Sequence, residues 1–342
     1  MAGEVRPTLA TATYGSDKDG LVCGYLFASG RPGRAVDAEA ATAWLAERKP
    51  LGSFLWLHFN VSNAAAERFM LQQLTLPESF HESLHDESGS TRVEQAGERL
   101  VAVLHDVLFD FDFDASHVST VSLCVERQLL VSARAKPLRS IDRLRASVRD
   151  GEEVRSPAQL LAHLMRDQAD VMVGIVRQAT GRLNAVEDGL LANRVGSSRA
   201  KLGALRRVLV RLQRLLAPEP ASLFRLLSRP PAWLSEADLQ DLRQATEEFS
   251  TAVADSAALV ERVKVLQEEL AGLIGERTNR TLFILTVVTV LALPFNVIGG
   301  LFGMNVGGIP FAEHNSGFWI VVTLVALFTA VVGIWGRGKR PQ

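Results

Sequence analysis

The pattern of hydrophobic and polar positions divides the chain of 342 residues into three regions. In the first, up to about residue 155, runs rich in Val, Leu and Phe alternate with Ala- and Leu-rich segments, as is typical of an α/β domain. The runs predict strands at 21–28, 54–59, 99–109, 118–125 and 128–133, and the other segments predict helices at 37–47 and 63–74. Ser62 or Asn63 is expected to cap the second helix.

The second region, 156–280, is predicted to be helical. Pro157 suits a first helical turn, and one helix is expected to run to about residue 193. A basic helix is expected to follow a Gly- and Ser-containing break and to end near residue 217. Four prolines bracket a short connector, at positions 218, 220, 230 and 231.

The stretch 235–280 carries a seam of apolar residues close to the seven-residue spacing of packed helices. They occur at positions 239, 242, 249, 253, 260, 263, 270 and 274. Because nothing interrupts the pattern, the helix is expected to continue into the third region as a rod on the order of 90 Å long. Such a seam needs neighbouring helices from the same subunit or from other copies, which favours an oligomer.

The third region contains two long uncharged segments, 281–312 and 314–336. A bilayer core requires about 20 consecutive apolar residues. The sequence therefore predicts a first span at about 281–301, an outer loop at 303–316 and a second span at about 317–335. The predicted organisation is a cytoplasmic α/β domain (1–155), a helical stalk (156–280) and a transmembrane domain (281–342). A buried soluble hairpin is the alternative, but uncharged runs of this length rarely suit a core helix.

Charges that flank the two spans predict their orientation. Basic residues lie on the sides away from the loop: Arg277, Arg280, Arg337, Lys339 and Arg340. The loop carries only Glu313, so the positive-inside rule places both termini in the cytoplasm, with the spans in the cell inner or plasma membrane. The first residues show no apolar stretch typical of a signal peptide, and Cys23 and Cys124 are expected to be reduced core residues.

Both Asn residues and two of the three Thr residues in 279–301 fall on one side of the helix. At 100° per residue, one sector of about a third of the circle contains Asn279, Leu282, Thr286, Thr289, Leu293 and Asn296. Polar groups in a bilayer are costly unless they face protein or water. This polar stripe therefore either packs against neighbouring helices or lines a pore.

The end of the first span is rich in glycine, with five glycines in residues 299–308, which permit close helix contacts and positive φ angles. Gly303-Met304-Asn305, after a proline-containing first span and before a short second one, resembles the signature of the CorA-type divalent-metal transporters. The segment 306–310 resembles the zinc-transporting, ZntB-like branch of that superfamily. Similarity extends through 91–94 and 137–140 over nearly the whole chain. Asn296, where relatives usually have Thr or Ser, and Phe311, where Gly is common, depart from the pattern.

The resemblance implies a funnel-shaped homopentamer in the lipid bilayer and no enzymatic activity or cofactor. The first span of each subunit would line a central pore, with Gly303, Met304 and Asn305 at its mouth, and the second span would form an outer ring. The outer loop would contribute Gly307, Gly308, Ile309, Pro310, Glu313 and His314. The implied cargo is a divalent cation, Zn²⁺ in the ZntB-like branch, with proton coupling, or Mg²⁺ or Co²⁺ in a channel of the CorA type.

Two patterns in the first region offer other chemistry. The segment from His81 through Glu82 to His85 fits the H-E-x-x-H pattern of zinc hydrolases. A membrane-anchored hydrolase is therefore one alternative, and an incidental zinc site at the two histidines is another. Four aspartates alternate with phenylalanines over 106–114, which predicts a half-buried strand end. Asp110 and Asp112, on its polar face, are candidates for cation sensing.

The basic helix at 199–214 has leucines at helical spacing and is expected to be amphipathic with a solvated basic face. It contains no aromatic residue for base stacking, and the chain has a net charge of -1. Nucleic acid is therefore not an expected partner.

Overall fold

The computed structural model describes residues 15–28, 30–47, 50, 52–86, 90–191, 198–304 and 315–338. These residues form strands β1 (Leu21–Ala28), β2 (Arg31–Val36), β3 (Phe54–Asn60), β4 (Arg92–Ala96), β5 (Arg99–Val107), β6 (Val118–Glu126) and β7 (Leu129–Arg134). They also form helices α1 (Ala38–Ala46), α2 (Ala64–Gln73), α3 (Glu78–His85), α4 (Arg139–Arg149), α5 (Pro157–Leu191), α6 (Ser198–Leu216), α7 (Pro218–Leu227), α8 (Glu236–Phe302) and α9 (Gly317–Gly338). The chain divides into two compact units, Met1–Gln267 and Glu268–Gln342.

The strands form one mixed sheet in the order β2-β1-β3-β7-β6-β5-β4. The central pair β3 and β7 is parallel, and its residues read as nearly continuous apolar runs because both faces of the sheet are covered. One face packs against α1, α2 and α3 through a cluster that includes Leu57, Met70 and Phe80. The other face packs against later helices through a cluster that includes Trp56 and Leu161.

The two strands that the sequence pattern missed, β2 and β4, are the edges of this sheet. Residues of β2 are mostly exposed and include Pro32 and Gly33, and β4 carries Arg92 and Glu94. Edge strands tolerate proline and charge because one side of their backbone has no strand partner. They therefore lack the apolar run that revealed the five inner strands.

Helix starts in the first region agree with the sequence. The side chains of Asp37 and Asn63 accept hydrogen bonds from the backbone N–H groups of Ala40 and Ala65 and so cap α1 and α2. The prediction of a connector between the prolines is wrong, because Pro218 begins the helix α7. A proline in the first turn costs no helical hydrogen bond, since that N–H has no partner inside the helix.

The apolar seam of α8 is buried by the chain itself. The seam residues Leu239, Leu242, Phe249 and Val253 belong to the same hydrophobic cluster as the sheet residue Trp56. The later positions Val260, Val263 and Leu270 are also buried. Only Ile274, the last position of the seam, is half-buried. The seam is therefore covered by helices of the same subunit and gives no separate support for an oligomer.

The cluster that contains Trp56 also contains Leu161 of α5, Leu212 of α6 and Phe249 of α8. The predicted boundary between 155 and 156 therefore does not coincide with a break in the core, and the compact unit Met1–Gln267 includes both the sheet and most of the helical region.

The segment with alternating aspartate and phenylalanine is not the end of a strand. β5 ends at Val107, and the chain turns there, with an isolated bridge between Leu108 and Leu138. Asp106 is buried rather than solvated, whereas Phe109 is exposed. The period-two pattern misled because it continues past the residue at which the strand stops.

Candidate functional site

The polar stripe of the first predicted span lies on α8, which continues through it without interruption. All six of its residues are exposed in the single chain: Asn279, Leu282, Thr286, Thr289, Leu293 and Asn296. An apolar window of α8 is long enough to cross a membrane, and none of it is buried; α9 contains a shorter apolar helix, Gly317–Val331. Length and composition thus suit a bilayer around the stripe.

The other side of the same segment carries residues that are only half-exposed: Val287, Leu291, Pro294 and Ile298. At 100° per residue, the centre of this group lies about 140° around the helix from the centre of the polar stripe. In α9, the less exposed residues Gly317, Val321, Val325 and Thr329 recur every four positions. Each helix therefore has one packed side, and the polar stripe is not on it.

The threonine hydroxyls of the stripe are oriented by their own helix. Thr286 Oγ1 donates to the carbonyl of Leu282 at 2.8 Å, and Thr289 Oγ1 donates to the carbonyl of Leu285 at 2.9 Å. These bonds use the hydroxyl hydrogens. The oxygen lone pairs then remain available to water molecules or to a cation.

The stripe contains only neutral oxygens. Residues 281–304 include no Asp, Glu, His, Cys, Lys or Arg. Divalent cations such as Mg²⁺ lose water reluctantly, and amide and hydroxyl oxygens suit contact with a hydrated ion. A dehydrated Zn²⁺ would require His, Cys or carboxylate ligands, which this segment lacks.

The helix α8 ends at the signature tripeptide. The N–H of Gly303 donates to the carbonyl of Gly299 at 2.9 Å, and the N–H of Met304 donates to the carbonyl of Leu301 at 3.4 Å. A Cβ atom on Gly303 would lie 2.9 Å from the oxygen of Gly299, closer than side chains tolerate. Glycine is therefore required here by close backbone approach.

The remaining mouth and loop candidates lie outside the described residues: Asn305, Gly307, Gly308, Ile309, Pro310, Glu313 and His314. Their predicted roles rest on the sequence.

The H-E-x-x-H residues lie on the short helix α3. His85 Nε2 is 2.8 Å from Glu67 Oε1 of α2, in an exposed hydrogen bond, and Glu82 is exposed. Within the part of the chain that the structure describes, no group of three or more His, Cys, Asp or Glu residues is arranged to hold a metal ion. His81 and His85 thus have no third ligand there, which a hydrolase site needs.

Asp110 and Asp112 lie in the turn that follows β5. Asp112 is 3.8 Å from Arg182 of α5, and the guanidinium of Arg182 stacks on the ring of Phe113 at 3.7 Å. Phe113 has a positive φ of 52°. Arg182 therefore anchors the turn to α5, so Asp112 has a contact of its own that needs no cation.

A buried polar joint, which sequence reasoning missed, lies where β5 passes three helices. Glu219 Oε1 of α7 accepts a hydrogen bond from the backbone N–H of His105 at 2.5 Å, and Gln168 Nε2 of α5 donates to the carbonyl of His105 at 2.8 Å. The β4–β5 pairing ends at Val103, so these side chains replace a strand partner. Glu219 gave no usable signal because it lies between two prolines that suggest a connector.

Burial changes the acidity of this joint. The pKa of Asp106 is raised to about 7, mainly by burial and to a smaller extent by the negative charge of Glu219, although hydrogen bonds from Ser140 and Val107 act to lower it. Burial also raises the pKa of Glu219, against the opposing effect of its contacts with His105. Both carboxyl groups therefore favour protonation more than exposed acids do.

Known proteins resemble the chain over most of its length. A family model described as CorA-like Mg2+ transporter protein matches residues 52–337. The divalent cation transporter CmaX of Pseudomonas aeruginosa is 28% identical over 317 residues, which cover 90% of this chain and 93% of that protein. The zinc transport protein ZntB of Pectobacterium atrosepticum is 23% identical over 285 residues, which cover 83% of this chain and 87% of that protein.

The structure of full-length CmaX matches the fold with a TM-score of 0.79 and 26% identity, and the match covers 94% of this chain and 99% of that one. The α/β fold with a long helix and a short C-terminal helix is thus shared with a known transporter. Since the family model spans well over half of the sequence, the chain belongs to the CorA-like family of Mg2+ transporter proteins, whose members are membrane transporters and not enzymes.

Proposed function

We propose that the chain is one subunit of an oligomeric channel or carrier that moves a divalent cation across the inner or plasma membrane, through a pore lined by the polar stripe of α8. Its family consists of transporters of such ions. The observation that carries the proposal is the position of the stripe, which is exposed and lies away from the half-buried side of the same helix.

An oligomer follows from the cost of leaving this stripe in lipid. One amide and two hydroxyls of the stripe lie within the predicted span of each chain, and they need protein or water beside them in a bilayer. Several copies that turn their stripes toward one axis would enclose a polar passage, with the amide of Asn305 in a ring at the outer mouth. We propose five copies, with both termini in the cytoplasm, on the resemblance and the flanking basic residues.

The ion proposed is Zn²⁺, with Mg²⁺ or Co²⁺ as the alternative. The zinc transport protein ZntB and the divalent cation transporter CmaX are both relatives at low identity, and the family model is described by Mg2+. Neutral oxygens act on the water shell and distinguish such ions weakly. Proton coupling would use groups outside the stripe, and Glu313 and His314 are the titratable candidates in the predicted outer loop.

The hydrolase alternative loses its basis. The family consists of transporters, and His85 pairs with Glu67 rather than with a catalytic metal set. The zinc-hydrolase pattern on α3 is therefore a chance match.

Flux into liposomes tests the proposal. Purified full-length protein should carry Zn²⁺ or Mg²⁺ inward faster than protein-free liposomes do, and comparison of the two ions, with and without a pH gradient, gives selectivity and coupling. Replacement of Asn296 by Leu should lower the flux without loss of the oligomer. Wild-type protein that assembles and carries neither Zn²⁺, Mg²⁺ nor Co²⁺ would refute the proposed function.

A further inference from the structure

α6 carries six exposed basic residues, here called the basic stripe: Arg199, Lys201, Arg206, Arg207, Arg211 and Arg214. The five arginines lie on one side of the helix, and Lys201 lies in its first turn. The helix contains no Asp or Glu. Its opposite side is apolar and buried in the subunit core, as with Leu209 and Leu212. The basic stripe is thus held in place by a rigid helix and faces solvent in the single chain.

The basic stripe lacks acidic partners. Among the residues that the structure describes, none of the six forms an ion pair, and Arg206 donates only to the amide oxygen of Gln267 at 3.2 Å. Basic residues elsewhere in the same unit pair across helices, as Arg262 does with Glu187 at 2.7 Å. Like charges three or four residues apart, such as Arg207 and Arg211, destabilise a helix. An acidic partner would therefore reduce the repulsion between these arginines.

A complementary surface lies on α8, here called the acidic stripe: Glu247, Glu248, Asp255 and Glu261, all exposed. It lies opposite the buried seam of that helix. Glu248 accepts a hydrogen bond from Gln244, and Glu261 is 3.7 Å from Lys264. Both of these contacts are within α8. Among the described residues, none of the four carboxylates forms an ion pair with another helix.

The two stripes also match in length and in the exposed apolar residues beside them. Arg199 to Arg214 spans about 22 Å of helix, and Glu247 to Glu261 spans about 21 Å. Exposed apolar residues lie beside the charges, with Val210 41% exposed in the basic stripe and Val265 59% exposed next to the acidic stripe.

Small residues complete the match. Ala200 and Ala204 lie on the exposed side of α6, and Ala254 and Ala258 lie on the exposed side of α8. Small side chains let two helices approach closely, so that flanking charges reach one another. Alternating charge and small apolar surface is a pattern that fits a helix–helix contact better than a fully solvated face.

We propose that the basic stripe of α6 binds the acidic stripe of α8 in a neighbouring copy of the chain. The inference rests on the proposed function only in that both require copies to associate. Two different surfaces make this contact heterologous, and such contacts repeat around a ring until it closes. Both stripes lie within Met1–Gln267, so the contact assigns part of the assembly to the region outside the predicted spans. Because exposed ion pairs are screened by salt, the contact should loosen at high ionic strength.

Charge reversal tests the contact in full-length protein in mild detergent, with native mass spectrometry as the readout. Arg207→Glu with Arg211→Glu should raise the subunit dissociation constant at least tenfold, and so should Glu247→Arg with Glu261→Arg. The four changes together should restore assembly, because the charges are exchanged across the same contact. Arg225→Glu with Arg229→Glu, exposed residues outside the stripe, is the matched control and should assemble like the wild type.

Directed cross-linking gives a second readout. Copies with Val210→Cys and differently tagged copies with Val265→Cys should form a disulfide-linked dimer when mixed, and neither should do so alone. An oligomer that survives reversal of both stripes and yields no mixed dimer would overturn the contact while leaving the pore proposal intact. Retained assembly together with lost binding to vesicles of anionic lipid would also overturn it and assign the basic stripe to the membrane surface. A wild-type protein that is monomeric would remove the pore proposal as well.

Discussion

The carboxylate of Asp106 on β5 accepts two hydrogen bonds from Ser140 on α4, one from the backbone N–H at 2.7 Å and one from the hydroxyl at 2.9 Å. Ser140 is the second residue of α4, so a buried acid holds the first turn of this helix against the sheet. The same acid lies close enough to Glu219 of α7 for their charges to repel. Protonation and the docking of α4 and α7 on β5 are therefore linked.

The first prediction concerns this link. An acid whose pKa is raised in the folded state, as burial raises the pKa of Asp106 to about 7, contributes stability that is fully present below its unfolded pKa. That stability is lost as the pH rises through about 7. The wild type should therefore gain stability from pH 8 to pH 5 relative to Asp106→Asn, measured as Tm by intrinsic fluorescence. Parallel pH curves for the two proteins would show that Asp106 does not titrate in this window.

The second prediction concerns the side chain that replaces a strand partner of β5. Glu219→Ala leaves the backbone N–H of His105 buried without its acceptor, which costs about 1–3 kcal/mol. The expected loss in Tm is roughly 2–10 °C for a unit of this size. Glu219→Gln retains an acceptor oxygen and should lose less. Glu98→Ala, in an exposed turn, is the control. An equal decrease in Tm for Glu98→Ala would show that the hydrogen bond of Glu219 does not stabilise the fold.

The third prediction separates the polar stripe from other threonines of the same type. Thr289→Val removes an oxygen from the stripe and should lower ion flux by about two- to tenfold, the equivalent of one net hydrogen bond. Thr323→Val on α9 removes a hydroxyl with the same bond to its own helix, 2.7 Å to the carbonyl of Trp319, and should leave the flux unchanged. An equal decrease in ion flux for the two variants would show that the stripe packs against helices and does not line the pore.

The fourth prediction concerns the pore mouth proposed from the sequence. Asn305→Ala should assemble normally and transport poorly, because lost contacts to the water shell of a charged ion cost roughly 1.5–3 kcal/mol each. Asn305→Asp should bind a divalent ion more tightly and change rate or selectivity. Glu82→Ala, in the chance hydrolase pattern, is the matched control and should carry metal at the wild-type rate. Wild-type flux in Asn305→Ala protein that assembles would show that this residue is not at the mouth.

The fifth prediction concerns orientation. In intact cells, an impermeant thiol reagent should label Ser316→Cys, in the predicted outer loop, and should not label Gln342→Cys. The reason is the bias of basic residues toward the cytoplasmic ends of the two spans. Labelling of the C-terminal cysteine alone would reverse the assigned orientation.

Much of the fold was predictable where one local rule dominates. The inner strands and the helices α1 and α2 were visible because burial on both faces, or on one face and, for α2, with a capping Asn63, leaves a clear pattern. Strands β2 and β4 were not visible, since an edge strand buries too little to require apolar residues. The polar stripe of α8 was predictable because a helix places residues at fixed angles whatever surrounds it.

The sequence by itself determined the long helix and the uncharged span with its stripe of Asn and Thr, each set by spacing along one element. Only the tertiary structure decided what covers the seam of α8, which the sequence left open between helices of the same chain and other copies. It also decided that Asp106 is buried against Ser140 and that Glu219 completes the edge of β5. The physical reason is that these contacts join residues far apart in the chain, such as His105 with Glu219 and Gln168. Their partners are chosen by how the sheet and the helices pack, which no local spacing encodes.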